Sequence, residues 1–179
     1  MRLSFQLFST CLTACIVGSA FAGTPNSSVL TKSELQQVTR AIKSKQHYDP
    51  RYPGGNVLEA EGERIYVEGS SGDNGWNMVA VQFTLEAGNA EYEYLLVLDR
   101  KSKRIIGPIR IGGRGYRHVA IYRVERGLIH ACSLFYGPND ALPEPTVPGD
   151  VAFSVTSGEL VESYSVVGVQ PIPGCKPKP

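Results

Sequence analysis

The most apolar stretch of the chain after its first 22 residues is WNMVAVQFTLEAGNAEYEYLLVLD, residues 76–99. Apolar side chains alternate with other side chains on both sides of Gly88-Asn89, and this period of two is typical of β-strands. Gly-Asn suits a two-residue turn because glycine tolerates a positive φ angle. The stretch therefore predicts an antiparallel hairpin.

The apolar side chains also predict the register of this hairpin. With a turn at Gly88-Asn89, one face carries only apolar or aromatic cross-strand pairs, which stabilise a sheet. These pairs are Val79–Leu98, Val81–Leu96, Phe83–Tyr94 and Leu85–Tyr92. The second face is polar near the turn, at Gln82, Thr84 and Glu93, and apolar further away, at Met78, Ala80, Leu95 and Val97. We expect another element to cover that apolar end.

One helix is predicted before the hairpin. In Leu30-Thr31-Lys32-Ser33-Glu34-Leu35, Thr31 can cap the helix, Glu34 can reach back to it, and Leu30 can pack on Leu35. Leu35, Val38 and Ile42 then form an apolar stripe. Such a stripe can bind a partner, but we expect it to pack on the sheet, over the apolar end of the second hairpin face.

The remaining strands are predicted from short alternating runs between turn residues. They lie near residues 57–58, 64–67 and 104–106, in a hairpin of 116–124 and 128–136 around Gly127, and in a hairpin of 151–155 and 159–164 around Gly158. Pro108, Gly112 and Gly113 interrupt one strand, which indicates an edge or a bulge. The predicted fold is mainly β (α+β), an antiparallel meander of about seven to nine strands as a sandwich or open barrel, with one N-terminal helix packed on it.

The N-terminus has the pattern of a secretory signal. Arg2 precedes an apolar run over residues 3–17, and Ala20-Phe21-Ala22 is a small-x-small cleavage pattern. Cleavage after Ala22 would leave a single β-rich domain, residues 23–170, and a proline-rich tail, residues 171–179. The expected location is the periplasm or the outside of the cell. A lipid anchor at Cys15 is the alternative, because Leu12-Thr13-Ala14-Cys15 resembles a bacterial lipobox. No other segment of the sequence is long and apolar enough to span a bilayer.

Two cysteines remain after the predicted cleavage, Cys132 and Cys175. Exported proteins mature in oxidising compartments, so an even pair predicts one disulfide. This bond would tie a strand to the C-terminal tail. Two unrelated thiols are the alternative.

The charges of the exported part are balanced. The chain has 18 basic and 17 acidic residues, and Arg2 leaves with the signal. This balance gives no reason to expect binding to nucleic acid or to a membrane surface. Locally, residues 57–93 hold eight acids and one base, whereas residues 100–126 hold nine bases and one acid. The basic segment could bind an anionic partner, or its charges could complement those of neighbouring strands.

Motifs for common enzyme chemistry are absent from the sequence. It has no Gly-x-Ser-x-Gly, no His-Glu-x-x-His, no phosphate loop and no complete calcium loop. With a three-residue turn at 125–127, Tyr122 faces His130 and Ala120 faces Cys132. His118, His130 and Cys132 then share a strand face, but the spacing of His118 argues against a shared metal. We therefore expect packed histidines, no metal, no cofactor and no assigned catalytic residue, and the sequence leaves enzyme activity uncertain.

A proline-rich loop, predicted over residues 137–149, is the best candidate for a binding surface. Long ordered loops are often functional, and proline keeps this one stiff. A rigid connection between strands is the alternative. Candidate binding residues, including two arginines of the basic segment, are Pro138, Asn139, Asp140, Pro143, Glu144, Pro145, Pro148, Arg114 and Arg117.

The C-terminal third resembles small exported bacterial β-sheet proteins of unknown function. The similar segments are Tyr136-Gly-Pro-Asn-Asp-Ala-Leu-Pro-Glu-Pro, Val151-Ala-Phe-Ser-Val and Gly158-Glu-Leu-Val-Glu, within a span of about 30 residues. Those proteins often have two adjacent cysteines and a proline after a Pro-x-Asp-x turn, and this chain has Pro143-Glu144 near that place instead. The resemblance implies a β fold and a cell-envelope location but no activity.

These observations leave three functional hypotheses. The first is an exported binding protein, such as an inhibitor, an immunity factor or an adaptor, with an envelope or secreted protein, or a glycan, as its partner. The second is a structural envelope protein that associates through a sheet edge. The third is a small enzyme that uses carboxylates, for example on a glycan, and it predicts acids with shifted pKa values in a cleft.

Overall fold

The computed structural model describes residues 30–46, 59–71, 76–87, 90–125, 127–142 and 144–177. It contains one helix, α1 (Lys32–Gln46), and eight strands. The strands are β1 (Glu59–Ser71), β2 (Trp76–Ala87), β3 (Ala90–Asp99), β4 (Arg104–Gly113), β5 (Arg117–Glu125), β6 (Leu128–Phe135), β7 (Val147–Thr156) and β8 (Glu159–Val167). The predicted signal, the lipobox alternative and the Gly88-Asn89 turn lie outside the described residues.

Each strand pairs with the next one in sequence, and every pairing is antiparallel. The sheet is a meander that does not close into a barrel, and the predicted mainly β fold with one helix is confirmed. The weakest pairing is between β4 and β5, which meet in register only at Gly113 and Arg117. The sheet therefore consists of two halves, β1–β4 and β5–β8, joined at one corner.

The predicted register of the central hairpin is confirmed. Val79 faces Leu98, Val81 faces Leu96, Phe83 faces Tyr94 and Leu85 faces Tyr92. The Phe83 and Tyr94 rings stack with their centroids 5.6 Å apart. All eight of these side chains are buried.

The helix packs on a different face from the one predicted. Val38 and Ile42 of α1 are buried against the first, fully apolar face of the hairpin, around Val81 and Leu96. The second face packs instead against the inner side of β5–β8, where Met78 and Leu95 join Ile129 and Phe153 in one cluster. The prediction was wrong because the sheet folds over its own second face, so the helix covers the other one.

The start of α1 is a capping box, as predicted. The Glu34 N–H donates to Thr31 Oγ1 (3.3 Å), and the Thr31 N–H donates to Glu34 Oε2 (2.7 Å). Arg100 also binds Glu34, with Nε 2.8 Å from Oε1, and its hydrogen bond lowers the pKa of this carboxyl. Leu35 departs from the predicted stripe, since 42% of its surface is exposed.

The hairpin of β5 and β6 has a bulge that the sequence did not indicate. Glu125 faces Leu128, which leaves a two-residue turn rather than the predicted three-residue turn. The register shifts between Ile121 and Arg123, so Arg123 rather than Tyr122 faces His130. The bulge compensates for the shorter turn, and the predicted pairing of Ala120 with Cys132 is confirmed.

Gly113 is required at the corner between the two halves. Its φ angle is 105°, and an added Cβ would lie 2.3 Å from the backbone oxygen of Glu91. We expect Gly113→Ala to lower the free energy of unfolding by about 2 kcal/mol, because backbone strain and steric overlap act together. Gly115→Ala is the matched control, since φ is 75° there but the added Cβ has open space. Urea unfolding of both variants measures the difference, and equal losses would contradict the steric argument.

Candidate functional site

The sheet register brings the candidate binding residues to one end of β5–β8. Arg117 faces Phe135, and Phe135 faces Val147. The turn before β5 and the loop between β6 and β7 therefore leave the sheet side by side. The Gly115 N–H donates to the Tyr136 hydroxyl at 3.3 Å and joins these two segments directly. We call the turn 114–116 and the loop 136–146 together the loop-end surface.

Asp140 organises the loop from within. Its carboxylate accepts hydrogen bonds from the Gly137 N–H (2.7 Å), the Thr146 N–H (2.8 Å) and the Thr146 hydroxyl (2.9 Å). These bonds lower the pKa of Asp140. One carboxylate thus ties the beginning of the loop to its end. The loop is preorganised, and the Asp140 carboxylate is directed into the loop rather than toward a partner.

Leu142 lies in the part of the loop that these bonds hold in place. With 57% of its surface exposed, it is the most exposed large hydrophobic residue in the described part of the chain. The Glu144 N–H donates to the Ala141 carbonyl at 2.7 Å and closes a turn around Leu142. An exposed leucine on a preorganised loop can bury its apolar surface against a protein at a small cost in conformational entropy.

The predicted binding residues of the loop differ in their positions. Pro138, Asn139 and Glu144 are exposed, and Pro145 is buried beneath the loop. Pro148 lies within β7, because this strand begins at Val147 and the loop is shorter than predicted. Pro143 lies outside the described residues.

Tyr116 is the second exposed apolar group of the loop-end surface. Two guanidinium groups lie over its ring, with the Arg117 carbon 4.5 Å and the Arg110 carbon 5.8 Å from the ring centroid. Cation–π attraction favours both contacts. Arg110 is held in turn by the carbonyls of Gly112 and Arg114. The ring is therefore fixed in place while 43% of the residue is exposed.

The two predicted arginines have different surroundings. Arg117 is 1% exposed, donates to the Ile111 carbonyl and forms an ion pair with Glu162 of β8. It supports Tyr116 from below and does not face solvent. Arg114 is half-buried, and its N–H donates to the Glu91 carbonyl at 3.0 Å. Among the described contacts, Arg100 pairs with Glu34 of α1 and Arg117 with Glu162 of β8.

The chain matches no family model, no curated protein and no solved structure. In the described ranges, no helix is both long enough and apolar enough to cross a membrane.

A buried polar cluster lies between the two halves of the sheet. Glu93 Oε1 is 2.9 Å from His118 Nδ1, and Glu93 Oε2 accepts from the Val119 N–H at 2.7 Å. Gln82 continues the pattern by binding the Val119 carbonyl and the Ile121 N–H. These side chains satisfy backbone groups of β5 that β4 does not reach, so the cluster closes a sheet edge that would otherwise be unpaired.

Glu93 is also the carboxyl that best meets the expectation for an enzyme with shifted pKa values. Burial raises its pKa, and the bonds from His118 and Val119 oppose the shift only in part. The residue is 7% exposed, however, and each of its oxygens has a protein partner. It is closed to a substrate, so its raised pKa is explained by its structural role.

A second polar cluster lies on the outer face of β5–β8. The Tyr164 hydroxyl donates to Asp150 Oδ2 at 2.9 Å, and burial together with this bond raises the pKa of Tyr164 to about 12. The Tyr122 and His130 rings lie 6.2 Å apart on the same face. The predicted Cys132–Cys175 disulfide is formed here and holds the tail against the sheet. The described residues contain no cluster of three or more potential metal ligands.

A small cleft lies at the other end of the sheet, between the β3–β4 turn and the β7–β8 turn. It has a volume of about 180 Å³ and is lined by Asp99, Ser102, Arg104, Ile106, Val155, Ser157 and Gly158. Asp99 is bound within its own turn by Lys101 and Ser102. The cleft is smaller than most ligand sites, so we regard the loop-end surface as the better candidate.

The sequence indicated the loop but not its two exposed apolar groups. Leu142 is an apolar residue within a run of proline and polar residues, and Tyr116 follows a glycine-rich turn. Both residues could therefore be noticed in the sequence, but not recognised as exposed. Their importance depends on exposure and on the contacts of Asp140 and Arg117, which only the folded chain defines.

Proposed function

We propose that this chain is an exported binding protein of the bacterial cell envelope that recognises a protein partner through the loop-end surface. It acts as an inhibitor, an immunity factor or an adaptor rather than as a catalyst. Export is supported by the signal pattern of residues 1–22. The observation that carries the proposal is an exposed Leu142 on a loop held by Asp140, together with an exposed Tyr116 on the turn that bonds to the start of this loop.

The chemistry of this surface favours a protein over a glycan as the partner. Centres of protein interfaces are enriched in tyrosine and arginine, and they bury apolar side chains that the free proteins expose. Leu142 and Tyr116 supply such side chains, and their rigid surroundings reduce the entropy cost of binding. A glycan site would instead need polar groups that converge on a cleft.

The test uses affinity-tagged full chain, purified from the envelope fraction and presented to envelope extract, with the captured proteins identified by mass spectrometry. We expect one stoichiometric partner, with Leu142→Lys lowering its affinity about 30-fold, as for a residue central to an interface. The matched control is Leu35→Lys, since Leu35 is also an exposed leucine but lies on α1. A partner that binds Leu142→Lys as tightly as the parent chain would contradict the proposal.

Asp140→Ala tests whether the order of the loop contributes to binding. Asp140 holds the loop without projecting toward a partner, so the variant should weaken capture although Leu142 is still present. The loss of its bonds to Gly137 and Thr146 should lower the urea midpoint slightly, while the domain still unfolds in one transition. Faster proteolysis of the loop in this variant would show that its order had been lost. Faster proteolysis with unchanged capture would show that the partner does not need the ordered loop.

A further inference from the structure

The last strand of the meander has an unusual surface for a sheet edge. β8 ends the strand order, and among the described residues no strand pairs with its outer side. Residues 161–167 are all exposed. Four of the exposed large hydrophobic residues in the described part of the chain lie here: Val161, Tyr164, Val166 and Val167. Exposed apolar edge strands favour pairing with another strand, and most proteins protect them with lysine, proline or a cover.

A bulge in β8 places most of these side chains on one face. Val161 pairs with Ser154 and Tyr164 with Ala152, and the register shifts between these two pairs. Val166 pairs with Asp150. Residues 150, 152 and 154 alternate along β7, so their partners lie on the same, outer face of the sheet. Without the bulge, Val161 would lie on the opposite face from the other two.

The backbone of β8 also has groups that point away from β7. The Gly168 N–H donates to the Pro148 carbonyl at 2.7 Å. Hydrogen-bonding directions alternate along an antiparallel strand, so the N–H and C=O groups of Val167 and Ser165 point to the free edge. These groups can accept a further antiparallel strand.

We propose that two copies of this chain associate through β8, in antiparallel register centred on Ser165. In this register Tyr164 of one copy faces Val166 of the other, and the Ser165 residues pair with each other. A two-fold axis perpendicular to the sheet places both apolar rows on the same face, where they form cross-strand pairs. The proposal goes beyond partner recognition at the loop-end surface and does not depend on it.

The charges of the strand favour a second copy as the occupant. Residues 163–175 contain no charged side chain. In the proposed register residues 163–167 of the two copies pair with each other. Glu159 and Glu162 lie outside the paired segment, because the facing chain leaves the strand after Val167, where the φ angle of Gly168 is 77°. No two like charges therefore meet. Glu162 also forms an ion pair with Arg117 of its own chain. The edge is therefore self-complementary, and each copy supplies the uncharged apolar strand that the other can accept.

Sedimentation equilibrium of the full chain purified from the envelope fraction tests the proposal. We expect a reversible dimer whose dissociation constant rises about tenfold or more in Val166→Lys, since two unfavourable cross-strand pairs form at once. Leu35→Lys is the control, because it makes the same kind of change on α1 and should leave the dimer unchanged. A monomer at every concentration, or a dimer that Val166→Lys does not weaken, would overturn the proposal.

Hydrogen exchange provides a test that needs no variant. The Ser165 and Val167 amide protons should exchange slowly at concentrations where the dimer forms and quickly where it dissociates. Equal exchange rates at both concentrations would rule out pairing through this edge. Leu142→Lys should leave the dimer intact and Val166→Lys should leave partner capture intact, so the two proposals can fail independently.

Discussion

Removal of the Cys132–Cys175 disulfide should lower the free energy of unfolding by about 4 kcal/mol, estimated from the entropy of closing a loop of this length. The two cysteines are 43 residues apart, and the bond joins β6 to the tail. Domains of this size have a total stability of about 5–15 kcal/mol. The bond therefore contributes a large part of the total, and the reduced chain should unfold at much lower urea concentrations.

Single and double variants test this expectation together. Cys132→Ala and Cys175→Ala should each lose about the same free energy, and the double variant should lose little more, because either change breaks the same bond. Reduction of the parent chain with dithiothreitol should shift its urea midpoint to that of the double variant. Losses that add in the double variant would show that the two cysteines contribute separately.

The central hairpin shows what could be predicted from sequence. Its register depends on a period of two that is local and complete, because every pair on one face is apolar only when Val81 faces Leu96 and Phe83 faces Tyr94. The capping box of Thr31 and Glu34 is similarly local. The disulfide could be predicted because only one pair of cysteines remains after the expected cleavage.

The features that the sequence did not predict depend on contacts between distant segments. The apolar stripe of α1 fits either face of the hairpin, and only the folding of β5–β8 over Met78 and Leu95 determines which face remains for the helix. Tyr122 gives no local sign of its bulge, since turns of two or three residues both fit the segment. Packing between distant segments, rather than intrinsic propensity, therefore determines the face that α1 covers and the position of the bulge.

The sequence indicated which segments carry the candidate binding residues but not the contacts of their side chains. Prolines and turn residues indicated the loop, and the basic segment indicated Arg114 and Arg117. The sequence could not show that Arg117 is buried beneath Tyr116 or that Asp140 bonds to Thr146 across the loop. Gln82 and Glu93 were placed on a polar part of the hairpin, whereas the second half of the sheet buries both of them.

Replacing Glu93 with alanine should lower the free energy of unfolding by about 3 kcal/mol, because His118 and the Val119 N–H would each lose a buried hydrogen-bond partner. The change would also leave space between the two halves of the sheet. Glu93→Gln is the matched control. It retains an acceptor oxygen for the Val119 N–H and nearly the same volume, so we expect a loss of about 1 kcal/mol. Urea unfolding measures both variants, and a similar loss in the two would show that the carboxylate charge, rather than the hydrogen bonds, is what matters.

Comparison of the parent chain with Glu93→Gln predicts a pH dependence of the free energy of unfolding with a defined sign. Burial raises the pKa of Glu93 in the folded chain above its ordinary value of 4.5, so the folded state binds this proton more tightly than the unfolded state does. The contribution of Glu93 to stability is therefore fully present below pH 4.5 and is lost as the pH rises through the folded pKa. Glu93→Gln has no such proton. The stability of the parent chain relative to Glu93→Gln should thus decrease as the pH rises from 4.5, and then become constant. If it increases instead, the attraction between Glu93 and His118 outweighs the cost of burying the charge, and the folded chain lowers the pKa of Glu93 rather than raising it.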